Sequence, residues 1–295
     1  MLNTSYIGRF APTPSGPLHF GSIVAALASY LDARYNKGKW LLRIEDIDTP
    51  RVRARADRKI VDTLEILGLE WDGDIVYQSD RLEYYRQALA ALAEAGLLYR
   101  CFCPRKITRG KPYPGTCRMR TVQQEKPHSL RVKTPDRPIT FDDAIQARQT
   151  GLLDDMTGDF ILRRSDGLIA YNLAVVIDDA AQDITHIVRG ADLLDTTFNQ
   201  VYLQSVLRLP SPAYAHHPVV VDANGKKVSK QDGATDVLAG VSPETVLLRA
   251  LRFLGQAPDP ELAQAGKREI LDWAIHHWKL DLVIERRADH NIDKF

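Results

Sequence analysis

From residue 6 onward the apolar pattern switches between a period of two and a period near 3.6, and this alternation constrains the fold more than any other feature of the chain. Residues 6–11 read as a first strand, 12–17 as a proline- and glycine-rich loop, 21–35 as a helix and Lys39–Ile44 as a second strand. Helical spacing returns over residues 53–67 through Ile60, Leu64 and Leu67. Asp80 and Glu83 read as a capping box, followed by a helix face of Leu82, Tyr85, Leu89 and Leu92. Strands alternating with helices in this way predict an α/β unit built on a parallel sheet.

The pattern breaks at Tyr99. Residues 101–160 carry all three cysteines, many prolines and short β-like runs, as expected of an insertion into the sheet domain. Beyond it, Ser165-Asp166-Gly167 suits a hairpin turn between residues 160–164 and 168–171. Residues 184–189 read as a strand, 195–207 as a helix and 219–221 as a strand running into an Asp-Ala-Asn-Gly turn. Ser242-Pro243 has the chemistry of a helix start, with Gly255 as its stop, and a last amphipathic helix is expected over 261–276. Four parts follow: 1–98 and 161–235 as the halves of a catalytic domain, 99–160 as the insertion and 236–295 as a short helical C-terminal region.

No apolar run reaches the roughly 18 residues a membrane helix needs, and residues 1–7 lack the pattern of a secretory signal. A cytoplasmic protein without a membrane partner is expected, and a monomer. With 39 basic against 38 acidic residues, the net charge of +1 announces no nucleic-acid partner, so any RNA must meet a local basic surface.

Chemistry concentrates first in Arg9-Phe10-Ala11-Pro12-Thr13-Pro14-Ser15-Gly16-Pro17-Leu18-His19-Phe20-Gly21-Ser22, which closes a strand and opens a helix. Ligands bind outside the carboxyl ends of α/β strands, and helix N-terminal amides favour phosphate. His19 could donate to a phosphoryl oxygen as charge builds there. An isolated His-x-Gly is more often a corner with a satisfied histidine, and no Walker A loop occurs. Near the far end of the domain, Lys227-Val228-Ser229-Lys230-Gln231 follows a strand and a turn; two lysines and a hydroxyl on a short loop can wrap a triphosphate.

His19-Phe20-Gly21-Ser22 resembles the HIGH signature of class I aminoacyl-tRNA synthetases, with Ser22 in place of the second histidine, a position from which a hydroxyl can still donate. The Arg-Phe-Ala-Pro-Thr-Pro-Ser-Gly run before it is similar to the glutamate/glutamine branch. Lys227 to Gln231 resembles KMSKS, with Val228 for Met and Gln231 for the final Ser. The resemblance implies a Rossmann-type class I synthetase catalytic domain with an inserted zinc-bearing α+β acceptor-type subdomain and a short helical C-terminus. It further implies ATP with Mg2+ held by His19, Gly21, Ser22, Lys227, Ser229 and Lys230, with His19, Lys227 and Lys230 catalytic.

A glutamate pocket needs a carboxylate for the ammonium and an arginine for a carboxylate, because the guanidinium fork binds carboxylate in bidentate fashion. The resemblance assigns Arg9, Phe10, Ala11, Pro12 and Thr13 to the pocket wall, Glu45 to the ammonium, and Tyr171 and Arg189 to the remaining contacts. For the cysteines, Cys101, Cys103 and Cys117 supply three soft ligands where a structural zinc takes four. Chemistry alone favours His128 as the fourth, over Tyr113; the resemblance to a Cys-x-Cys…Tyr-x3-Cys site implies Tyr113. Buried thiols without metal are the plainer alternative.

Only 64 residues follow Gln231 (295 less 231), too few for a large helical anticodon-binding region. A stand-alone catalytic half is similar to the glutamyl-Q tRNA(Asp) synthetase family, which implies tRNA-independent activation of L-glutamate and its transfer to queuosine in tRNA(Asp). The alternatives are a shortened glutamyl-tRNA synthetase that charges a tRNA 3′ end, and a non-catalytic zinc-bearing RNA-binding module. The second predicts degraded His19, Lys227 or Lys230 positions, and all three are intact.

Overall fold

The computed structural model describes residues 5–104, 111–120, 126–221 and 237–289. Strand β1 (Ile7–Phe10) lies parallel to β2 (Lys39–Ile44), and β2 is parallel to β3 (Val76–Tyr77). Helices α1 (Phe20–Tyr35) and α2 (Ala56–Leu67) make the two crossovers. Nearly all of α1 from Ile23 to Ala33 is buried, because it packs under the sheet on one side and under later helices on the other.

Helix α3 (Leu82–Glu94) follows β3, but without the capping box expected at Asp80 and Glu83. The chain enters it through a 3₁₀ turn, Gln78–Arg81, with Arg81 at the N-cap and no side-chain cap. The reason is electrostatic: Arg81 Nε donates to the fully buried Asp178, which fixes the approach to the helix, and Glu83 accepts from Arg86 instead.

Strand β4 (Leu98–Cys101) then pairs antiparallel with β5 (Ser129–Val132). A hairpin of β6 (Ile139–Asp143) and β7 (Ala147–Gly151) and a short α4 (Leu153–Met156) lead to β8 (Ile161–Arg163), which completes an antiparallel trio with β4 and β5. The turn at Ser165-Asp166-Gly167 closes as expected, with Arg164 N donating to Leu168 O at 2.8 Å. Tyr171, however, opens a helix, α5 (Tyr171–Ala181), that the pattern hid: Leu173, Ala174, Val175 and Val176 are all buried, so no polar face marks the helical period.

Strand β9 (His186–Gly190), helix α6 (Leu194–Leu207) and strand β10 (Ala213–His217) build the second half-sheet, in the order β7-β6-β10-β9, with β10 parallel to both its neighbours. The two half-sheets meet through Thr185, whose N–H donates to Ile7 O (2.9 Å) and whose Oγ1 accepts from Ile7 N (2.8 Å). The chain therefore builds outward from β1 in one direction and returns on its other flank, which creates a topological switch point beside β1.

Val219–Val220 forms β11, which pairs with β12 (Ala288–Asp289). Between them, α7 (Pro243–Phe253) starts as the sequence predicts: Ser242 Oγ accepts from Thr245 N at 3.2 Å. The helix expected over 261–276 is split. Pro260–Gln264 is a 3₁₀ turn, Gly266 is the N-cap, and α8 runs Lys267–His277. Helices α1, α2, α7 and α8 share one core with β1 and β2; α3, α5 and α6 share another. Buried Asp32 of α1 ties the first core together, accepting from Tyr6 OH and from Trp278 Nε1 at 2.9 Å.

Candidate active site

A cavity of about 690 Å3 opens at the carboxyl ends of β1 and β9, where the two half-sheets meet. Arg9, Phe10, Ala11, Pro12, Thr13, Glu45, Tyr171 and Arg189 all line it, as do His19, Gly21 and Ser22. Lys227, Ser229 and Lys230 lie outside the described residues.

His19 is the N-cap of α1, and its Nδ1 accepts from Ser22 N at 3.2 Å. Accepting at Nδ1 puts the ring proton on Nε2 in the neutral imidazole, on a residue that lines the cavity at a helix N-terminus. Gly21 permits this fold-back, because a Cβ there would stand 3.2 Å from both Nδ1 and Cε1 of His19.

Behind β1 and β2 lies a buried charge network that sequence reasoning missed. Asp179 of α5 accepts from Arg9 Nε (3.1 Å) and Arg9 Nη2 (3.4 Å), and from Arg43 Nη2 (2.8 Å). Burial alone would raise the Asp179 pKa, but the two guanidinium groups outweigh it and hold the carboxyl below its usual range. Glu45 stands at the edge of this network, 3.5 Å from Arg43 Nη2. There burial wins over Arg43 and Arg9, and the Glu45 pKa is pushed up to about 7. Arg43 lies on β2 and Glu45 is the first residue beyond it, two apart in an extended run and so on one side, a signal present in the sequence. Asp178-Asp179, closing an apolar run, was the other.

Arg189 has a different environment. Its Nε donates to His216 Nε2 (2.9 Å), its Nη2 donates to Thr197 Oγ1 and Gln200 Oε1 (both 2.7 Å), and its Nη1 reaches Tyr171 OH at 3.4 Å. Among the described residues these partners are all neutral, whereas Arg9 and Arg43 are matched by Asp179. Burial holds the His216 pKa down to about 4, so the ring is uncharged near neutrality. A buried cation facing a cavity with only neutral partners calls for an anionic ligand.

The cysteines converge elsewhere. The sulfurs of Cys101, Cys103 and Cys117 lie within 4.8 Å of one another. Tyr113 OH is 3.3 Å from Cys101 Sγ and 3.4 Å from Cys103 Sγ. His128 is not in this group; its Nδ1 meets Lys126 O and its Nε2 meets Arg163. Tyr113 is held from outside by a bridge to Gly158 and by Arg131, whose guanidinium lies 3.9 Å above its ring. Sulfurs on a tetrahedral zinc with bonds of about 2.3 Å stand roughly 3.8 Å apart, so the donor set fits such an ion.

Residues 7–111 and 115–273 match the family described as tRNA synthetases class I (E and Q), catalytic domain. Over 283 residues the chain is 50% identical to a glutamyl-Q tRNA(Asp) synthetase of Aromatoleum aromaticum, covering 93% of this chain and 89% of that protein. The chain belongs to the glutamyl-Q tRNA(Asp) synthetase family. Another relative with that name, from Pseudomonas syringae pv. syringae, is 48% identical over 285 residues and 96% of each chain. Membership makes the protein a ligase with the class I synthetase catalytic fold. The crystal structure of the glutamate-tRNA synthetase from Elizabethkingia anophelis superposes with a TM-score of 0.80 at 27% identity, covering 96% of this chain and 68% of that one. The glutamate tRNA ligase of Elizabethkingia meningosepticum, in complex with its amino acid, gives 0.81 at 27% identity, over 98% and 68%. Among the described residues no helix is long and apolar enough to cross a membrane.

Proposed function

We propose that the protein activates L-glutamate with ATP, without tRNA, and transfers the glutamyl group to queuosine in the anticodon loop of tRNA(Asp). The observation that carries this reading is Arg189: a buried guanidinium with neutral partners, in one cavity with Glu45 and with the His19 helix cap. A ligand with a carboxylate for Arg189 and Tyr171, an ammonium for Glu45 and a phosphate for the start of α1 satisfies all three groups.

In the first step a substrate carboxylate oxygen attacks the α-phosphorus of ATP. The new P–O bond forms as the bond to the bridging oxygen of pyrophosphate breaks, giving glutamyl-adenylate. His19 Nε2–H donates to a phosphoryl oxygen as its charge grows, and Lys227 and Lys230 neutralise the departing pyrophosphate. Magnesium bound with ATP screens the phosphate charges. In the second step the cyclopentene hydroxyl of queuosine attacks the activated carbonyl; the acyl–phosphate C–O bond breaks, AMP leaves with the bonding pair as the ester forms, and the hydroxyl proton is released to solvent. Positioning and charge stabilisation supply the rate. The division into 1–98, 99–160, 161–235 and 236–295 belongs to the same reading, with β6 and β7 of the second part joined to the sheet of the third, as does a cytoplasmic, monomeric enzyme. Cys101, Cys103, Tyr113 and Cys117 would hold a structural zinc that shapes the part facing the RNA and takes no part in the chemistry.

The test is ATP–pyrophosphate exchange with glutamate in the absence of RNA, followed by transfer of labelled glutamate to tRNA(Asp) with or without queuosine. Exchange without RNA and transfer only to the modified tRNA are expected. Exchange that needs tRNA, with label on a 3′ end, would establish a shortened glutamyl-tRNA synthetase instead. In the same assay Lys230→Ala should slow exchange about a hundredfold; an unchanged rate would count against the lysine loop.

A further inference from the structure

Arg189 depends on a group that nothing in its own sequence neighbourhood announces. His216, on the adjacent strand β10, is fully buried and accepts from Arg189 Nε through its Nε2. Its other nitrogen, Nδ1, meets Asp143 Oδ2. Asp143 ends β6, and its Oδ1 accepts from three backbone amides: Ile145 (3.0 Å), Gln146 (2.8 Å) and His216 itself (3.1 Å). Those amides hold the carboxylate in place and leave Oδ2 to accept from the ring. A carboxylate that only accepts makes Nδ1 the proton-bearing nitrogen, so the lone pair of Nε2 points at Arg189.

We propose that His216 is the positioning residue for Arg189 and that Asp143 fixes the His216 tautomer needed for it, so that Nη1 of Arg189 is presented to the substrate carboxylate. This rests on the reading of Arg189 as a glutamate contact. The chemistry explains why an imidazole stands here. A carboxylate behind Arg189 would hold the guanidinium equally well but would also neutralise it, as Asp179 does for Arg9. A neutral imidazole takes the same hydrogen bond and leaves the positive charge for the ligand. Thr197 and Gln200 take both Nη2 protons in the same uncharged way.

The sharpest variant is Asp143→Asn. Its amide oxygen can keep the three backbone amides, which turns the NH2 toward His216 Nδ1. The ring proton must then move to Nε2, where it faces the Nε–H of Arg189, donor against donor. Glutamate and ATP KM are to be measured in the exchange assay for Arg189→Ala, Asp143→Asn, His216→Leu and His216→Gln. Loss of glutamate use in Arg189→Ala sets the reference for the site. Asp143→Asn and His216→Leu should each raise glutamate KM about tenfold with ATP KM within about twofold. His216→Gln, whose amide oxygen can still accept, should recover most of the loss. Nitrogen-15 spectra of histidine-labelled protein need no variant to fold: the unsubstituted chain should show a neutral His216 with its proton on Nδ1.

A wild-type ring protonated on Nε2, or charged at neutral pH, would overturn the proposal. So would glutamate KM that stays unchanged in Asp143→Asn and His216→Leu while Arg189→Ala is impaired, a result that leaves the glutamate site standing. Parallel rises in glutamate and ATP KM would reduce both residues to structural ones. An unimpaired Arg189→Ala would remove the glutamate site itself, and the proposal with it.

Discussion

Burial holds the Glu45 carboxyl at about 7 despite Arg43 and Arg9 beside it, which makes ammonium binding pH-sensitive in the working range. The group is ionised above its pKa, so the attraction is present at pH 8 and fades as pH falls through 7. The ionised share drops about tenfold between pH 8 and pH 6, and the glutamate Kd, measured by calorimetry, should rise by the same factor. Glu45→Gln should bind weakly at both ends and show no such slope; a persisting slope would assign it to another group. At this scale the sequence exposed residues that line the cavity but not what holds them. Arg9, Glu45, Tyr171 and Arg189 could be read from the charges glutamate carries and from flanking motifs. Asp179 lies 170 residues from Arg9 and His216 lies 27 from Arg189, and no local pattern links such pairs; only the fold does.

Among the elements, the cysteine region is the most exposed to a single substitution. Cys101 ends β4 and Tyr113 bridges to Gly158, so a zinc held by the sulfurs would tie a loop to the three-stranded sheet. In Cys101→Ser, zinc per chain by atomic emission should fall to near zero, with faster amide exchange over residues 98–101 and 111–118. Full metal occupancy in that variant would refute the site. Some elements were legible: β2, a short apolar run of strand length, has the bounds the pattern gives, and α7 has its serine cap. Those that failed had a local signal overridden from a distance. Helix α5 is wrapped in apolar neighbours and shows no period, and the expected cap of α3 gave way to the pull of Asp178 on Arg81.

In the whole molecule the C-terminal helices belong to the core around α1. Trp278 is 1% exposed and donates to the buried Asp32. Trp278→Ala should cost about 3–5 kcal/mol, read as a lower urea midpoint, while Trp278→Phe should cost roughly 1 kcal/mol beyond its lost volume, for the broken hydrogen bond. A shift below about 1 kcal/mol for the alanine variant would mean that the helices are an appendage. The parallel β6–β10 pairing has a consequence for protein engineering. Residues 139–143 fall in the span that looks like removable insert, yet they form a strand of the second half-sheet and end on the aspartate behind His216 and Arg189. A chimaera that swaps the cysteine-bearing segment between relatives has its sound downstream junction before Ile139; spliced near residue 160, it would import a foreign wall into the pocket along with the graft.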